Sequence, residues 1–95
     1  MTILIGNISK DEEIKYNLFE YMNVSKICDL DRNNKFDVYI MNTNISDFGL
    51  IRNTDIILDY LLITYNICKL FYKLENSNYL INACFYYNVE CYELK

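Results

Sequence analysis

Ninety-five residues are enough for one domain and too few for two, and a composition of 53% hydrophobic and 23% charged residues is that of a globular chain. Nine basic against thirteen acidic residues leave a formal charge of −4, the opposite sign to that of a generic nucleic-acid binder, which must neutralise phosphates. With no histidine, the ordinary neutral-pH general base and the commonest metal ligand are both missing.

In chain order, Thr2–Ile8 is a short β-branched run that reads as a strand, with Gly6-Asn7 near its end. Ser9-Lys10-Asp11-Glu12 fits a capping box, in which the serine hydroxyl accepts from the N3 amide and the glutamate accepts from the serine amide. Ile14, Leu18 and Met22 then fall on one stripe, so a helix is predicted from about Lys10 to Met22. Val24–Leu30 is the next predicted strand, Asp31-Arg32-Asn33-Asn34 a turn, and Phe36–Met41 a further strand. A link this short cannot hold a parallel crossover, so these two strands are expected to form an antiparallel hairpin. Asn42–Arg52 is polar, contains Gly49 and shows no period, as in a long loop. Asn53 or Thr54 would cap a long helix reaching Glu75, stopped by Asn76-Ser77-Asn78. Tyr79–Leu94 alternates as a strand does, bending near Tyr86–Asn88 or splitting in two. Residues 1–95 thus form a single domain with the order β-α-β-β-α-β. That is the ferredoxin-like α+β pattern, an antiparallel sheet with two helices on one face. The alternative is a flavodoxin-like open parallel sheet, against which the short turn at Arg32–Asn34 argues.

Cys28, Cys68, Cys84 and Cys91 are expected to be reduced and structural, because Met1–Ile8 lacks the basic start and apolar length of a secretory signal. No stretch reaches the ~18 apolar residues of a membrane span; Ile56–Leu74 is broken by Asp59, Asn66, Lys69 and Lys73. A cytoplasmic location follows as the expectation. Proline, glutamine and tryptophan are absent, while asparagine, isoleucine, tyrosine and lysine abound. That usage matches very AT-rich coding, as in some bacteria, phages and viruses.

Ile3-Leu4-Ile5-Gly6-Asn7-Ile8, followed by the acidic Ser9-Lys10-Asp11-Glu12-Glu13, resembles the opening of an RNA-recognition-motif domain over the first quarter of the chain. The resemblance implies a ferredoxin-like fold and, in principle, a base-stacking sheet. The family's stacking positions are not retained. Leu4 stands where the first strand carries an aromatic residue, and Lys35-Phe36-Asp37-Val38-Tyr39-Ile40-Met41 lacks the glycine and the second aromatic of the third strand. Stacking is worth ~1–3 kcal/mol per base, so RNA binding by the sheet is a secondary expectation.

Catalytic chemistry has little to stand on. No cysteine has a histidine activator, no C-x-x-C pair suggests zinc, and Gly6 and Gly49, the only glycines, form no phosphate loop. Asp29, Asp31 and Asp37 gather around the predicted hairpin; carboxylates so placed suit a divalent cation, but a solvated turn explains them as well. Asp55 and Asp59 suit the helix dipole. No enzyme activity and no cofactor are expected.

Two surfaces are candidates for binding. The predicted long helix is apolar around most of its circumference, so Leu58, Leu62, Tyr65 and Tyr72 either pack inside the domain or meet a second copy or a partner. Ten tyrosines exceed what a small core holds, and tyrosine suits interfaces because it buries area and keeps a hydrogen bond. The expectation is therefore a small acidic protein-binding domain. The concrete form is a phage- or virus-type accessory protein, such as an anti-CRISPR inhibitor, that occludes a basic surface of a host defence protein. Its expected contacts are Asp29, Asp31, Asp37, Asp47, Tyr39, Tyr86 and Tyr92. The alternatives are a degenerate RNA-binding module and a structural homodimer built through the long helix.

Overall fold

The computed structural model describes residues 1–24, 31–43, 50–51 and 56–95. Its elements are β1 (Thr2–Gly6), α1 (Lys10–Lys15), β2 (Met22–Asn23), β3 (Lys35–Met41), β4 (Leu50–Ile51), β5 (Ile56–Ile57), α2 (Leu58–Thr64), β6 (Asn66–Lys73), α3 (Asn78–Tyr86) and β7 (Glu90–Glu93). A five-stranded sheet runs in the order β2-β1-β3-β6-β7, with β4 and β5 forming a separate two-stranded pair. Every pairing in the five-stranded sheet is parallel.

The antiparallel ferredoxin-like sheet expected from the sequence is not the one formed. The hairpin premise fails because β3 does not pair with the strand before it. Its neighbours are β1 and β6, while β2 is short and pairs only with β1. Counting only strands of the large sheet, the order reverses between β1 and β3, as in doubly wound flavodoxin-like sheets. The expected strand at Val24–Leu30 falls largely on residues outside those described.

Three expected elements are broken: the helix expected from Lys10 to Met22 ends at Lys15, with Met22 already in β2, and two others divide into helix and strand. Of the long helix only Leu58–Thr64 is helical: Ile56–Ile57 is β5, after Tyr65 the chain runs on as β6, and the expected caps Asn53 and Thr54 lie outside the described residues. The expected strand Tyr79–Leu94 is α3 followed by β7. Both α1 and α3 stop at an asparagine in the left-handed region, Asn17 (φ 55) and Asn88 (φ 58). In each case the next amide reaches back over the last turn: Leu18 N to Glu13 O at 2.8 Å and Val89 N to Cys84 O at 2.9 Å. This is a Schellman ending, for which asparagine substitutes for glycine.

The core lies on one face of the sheet. Ile3, Ile5, Val38, Ile40, Leu70 and Tyr72 cluster with Leu58, Leu61 and Leu62 of α2 and Leu80, Ala83 and Cys84 of α3. The connection from β1 to β2 crosses the sheet in the opposite direction to those from β3 to β6 and β6 to β7. Right-handed crossovers therefore place α1 on the face opposite α2 and α3. Leu4 and Met41, which alternate with the core residues along their strands, are buried on that opposite face, and Leu18 beyond α1 is buried too.

Candidate functional site

In open parallel sheets, ligands gather beyond the carboxyl ends of the strands, where the strand order reverses. Here that place is the end of β1 and β3, and it is laced together by its own side chains. Gly6 turns the chain at φ +104, and a Cβ there would strike the Met41 carbonyl oxygen. The following amide, Asn7 N, donates to that oxygen at 3.0 Å. Asn42 Nδ2 donates to Asn7 O at 3.0 Å and to both Glu12 carboxylate oxygens at 3.0 and 3.2 Å. Glu12 also completes the capping box, accepting from Ser9 N at 3.1 Å while Ser9 Oγ accepts from Glu12 N at 3.2 Å. From the end of β6, Lys73 Nζ donates to Glu12 Oε2 at 2.5 Å. The Lys73 ammonium, then the Ser9 amide, hold the Glu12 carboxyl down at about 2, against burial that acts the other way. Lys73 is raised in turn, first by the same hydrogen bond. These groups are engaged with one another, so the cluster works as a clasp joining α1, β3 and β6. Beside it, Tyr16 Oη is buried without a hydrogen-bond partner among the described residues.

The second place is the sheet face opposite α2 and α3. Register sets two rows across it. Tyr39, Phe71 and Tyr92 stand side by side on β3, β6 and β7, and Asp37, Lys69 and Glu90 form the row next to them. The aromatic rings stack: Tyr39 on Phe71 at 4.6 Å and 17°, and Phe71 on Tyr92 at 5.4 Å and 27°. Tyr39 and Phe71 are half-buried and Tyr92 is exposed. Tyr92 Oη donates to Glu90 Oε2 at 2.7 Å, which raises the phenol; burial, then Asp37, raises Tyr39. The register depends on an irregularity in β6. Phe36 pairs with Ile67 and Asp37 with Lys69, so Cys68 is the extra residue. That slip lets Ile67 join the core while Lys69 and Phe71 face the other way.

The contacts expected from sequence are thus divided. Asp37, Tyr39 and Tyr92 meet on this one face. Asp31 is exposed in the turn before β3, accepting from Asn33 N at 3.0 Å. Tyr86 lies on α3, on the far side of the sheet, 77% exposed. Asp29 and Asp47 lie outside the described residues. The expected partner helix is corrected most sharply: Leu58, Leu62, Tyr65 and Tyr72 are all buried in the core, and Tyr72 belongs to a strand. Those four side chains are thus taken up inside the domain, while Tyr60 and Ile63 of α2 are exposed. Phe71 and Lys69, central to the open face, were hidden in the sequence by the helical reading of Ile56–Leu74.

Among the described residues, no group of acidic or cysteine side chains is placed to hold a metal ion, and no helix is long and apolar enough to cross a membrane. Cys68, Cys84 and Cys91 are free thiols, and burial pushes the Cys84 thiol up to about 12. Compared with protein-family models, with curated proteins and with solved structures, the chain matches none.

Proposed function

We propose that this chain is a protein-binding domain whose contact surface is the sheet face bearing Tyr39, Phe71 and Tyr92. The observation that carries the reading is half of one parallel-sheet face that no helix among the described residues covers. Such sheets normally have both faces packed, yet no described helix lies over β6 and β7 on this side, and their outward row is a stacked aromatic strip. Aromatic rings flanked by charge are the composition of a contact patch with a dry centre and a polar rim. The row beside the rings carries Asp37 and Glu90 against Lys69, Lys73 on the same face is paired with Glu12, and the chain as a whole is acidic. The fitting partner is a protein with an apolar centre bordered by basic groups. A phage- or virus-type inhibitor that occludes a basic surface of a host defence protein is the more specific form; acidity and AT-rich usage support it.

RNA suits this face less well. The three rings already stack on one another, and two carboxylates border them, against the sign a phosphate backbone needs. The test is paired affinity capture from the source cells with wild type, Tyr92→Ala and Phe85→Ser, the last altering an exposed ring on α3. A stoichiometric protein partner retained by Phe85→Ser and lost with Tyr92→Ala is the expected result. Loss with Phe85→Ser alone, or capture of nuclease-sensitive RNA instead, overturns the reading.

A further inference from the structure

On the other side of the sheet, a cavity of about 340 Å³ opens between α2 and α3, lined by Asp59, Tyr79, Asn82, Ala83, Tyr86 and Tyr87. Its construction follows from helical spacing. Leu80, Ala83, Cys84 and Tyr87 turn toward the core, and Tyr79, Asn82 and Tyr86 follow at i, i+3 and i+7 on the flank next to α2. From α2, Asp59 meets them, and its Oδ2 accepts from Tyr79 Oη at 2.8 Å. Tyr86 and Tyr87 stand at right angles, with ring centroids 4.9 Å apart and planes at 85°. Three tyrosines and one carboxylate thus share one small cavity that no lysine or arginine among the described residues lines.

We propose that this cavity binds an organic ammonium group, the trimethylammonium type fitting it best. Ring faces carry the negative end of the aromatic quadrupole, and walls set at an angle around a carboxylate are the recognised way to hold an alkylated cation. Such a cation sheds water easily and needs few directed hydrogen bonds. That matches a site where Tyr79 already occupies one carboxylate oxygen. An anion would meet Asp59 without a counter-charge. The site lies on the face opposite the Tyr39–Phe71–Tyr92 strip and does not rest on that strip's role.

The test is titration with tetramethylammonium, with its neutral isostere tert-butyl alcohol as control, followed by tyrosine ring NMR. Millimolar binding of tetramethylammonium, at least tenfold tighter than the alcohol and shifting Tyr79, Tyr86 and Tyr87 resonances, is expected. Asp59→Asn should weaken it several-fold. Because Asp59 also anchors Tyr79, the exposed Tyr86→Ala serves as a second variant and should abolish binding with the fold intact. Tyr92→Ala should change nothing. Choline against a trimethyl-lysine peptide then separates a free metabolite from a protein side chain, tighter binding by either identifying the source. Equal affinity for cation and alcohol, no shift at these tyrosines, or unaltered binding by Tyr86→Ala overturns the proposal.

Discussion

Replacing Glu12 by glutamine tests the clasp that ties α1 to the ends of β3 and β6. Glutamine keeps an oxygen for the Ser9 amide, as capping boxes allow, and puts an uncharged amide donor in place of the oxygen that accepts from Lys73 and from Asn42. In the folded protein the Glu12 carboxyl is held from 4.5 down to about 2. A depression of that size corresponds to at most about 3 kcal/mol, and solvent screening reduces it to about 1–2 kcal/mol. The sign is that of a depressed acid. The contribution of Glu12 is complete above pH 4.5 and is lost as pH falls through about 2. Urea denaturation at a series of pH values between 7 and 2, wild type against Glu12→Gln, reads this directly, because the other carboxylates titrate in both proteins. At neutral pH the variant should be less stable by about 1–2 kcal/mol, or roughly 5–10 °C in Tm for a domain of this size. The two curves should converge toward the acid end. Lys73→Met should move the acid-sensitive step of the wild type up toward the ordinary carboxylate range. Parallel curves for wild type and Glu12→Gln over the whole series would refute the ion pair as a stabilising contact.

Other substitutions probe separate parts of the account. Gly6→Ala places a Cβ against the Met41 carbonyl oxygen at φ +104, so a loss of about 2–4 kcal/mol in chemical denaturation is expected. Leu62→Ala, in the core at 6% exposure, should cost about 2–5 kcal/mol, while Tyr92→Ala should cost under about 1 kcal/mol; the reverse order would restore Leu62 to the surface. Alkylation at pH 8 with mass-spectrometric readout should label exposed Cys68 well before Cys84, which is buried and has its thiol pushed up to about 12. Equal labelling of the two in the folded protein would contradict the placement of α3.

The sequence disclosed the parts of this fold that follow from local chemistry. The Ser9/Glu12 capping box is present as its spacing indicated, β1 falls within its expected run, and β3 begins one residue before its own. What stayed hidden is the early end of α1 at Lys15 and the division of two later, apparently continuous segments. In the first, the core residues of α2 are followed by Ile67, Leu70 and Tyr72, which all face the core. The extra residue at Cys68 spaces them three and then two apart, so the strand keeps a helical look. In the second, Tyr79 to Cys91 alternates by coincidence, although Leu80, Ala83, Cys84 and Tyr87 also carry the helical period that the fold uses. Asn88 is the local mark of the break, and a left-handed asparagine resembles any other asparagine until its backbone is seen. Missing those divisions hid the helix–strand alternation of a parallel sheet, and the short link before β3 then read as a hairpin. Asp37 and Tyr39 were legible as one strand's outward residues. Their junction with Phe71 and Tyr92 was not, because cross-strand neighbours depend on register.

The claim that the Tyr39–Phe71–Tyr92 face is the binding surface is tested most directly by site-specific photo-crosslinking in the source cells. A benzophenone amino acid would be placed at position 92, on the open face, or at position 85, on the outer side of α3. The account predicts a discrete protein adduct from position 92 and none from position 85. An adduct from position 85 alone, or an RNA adduct from position 92, would contradict it.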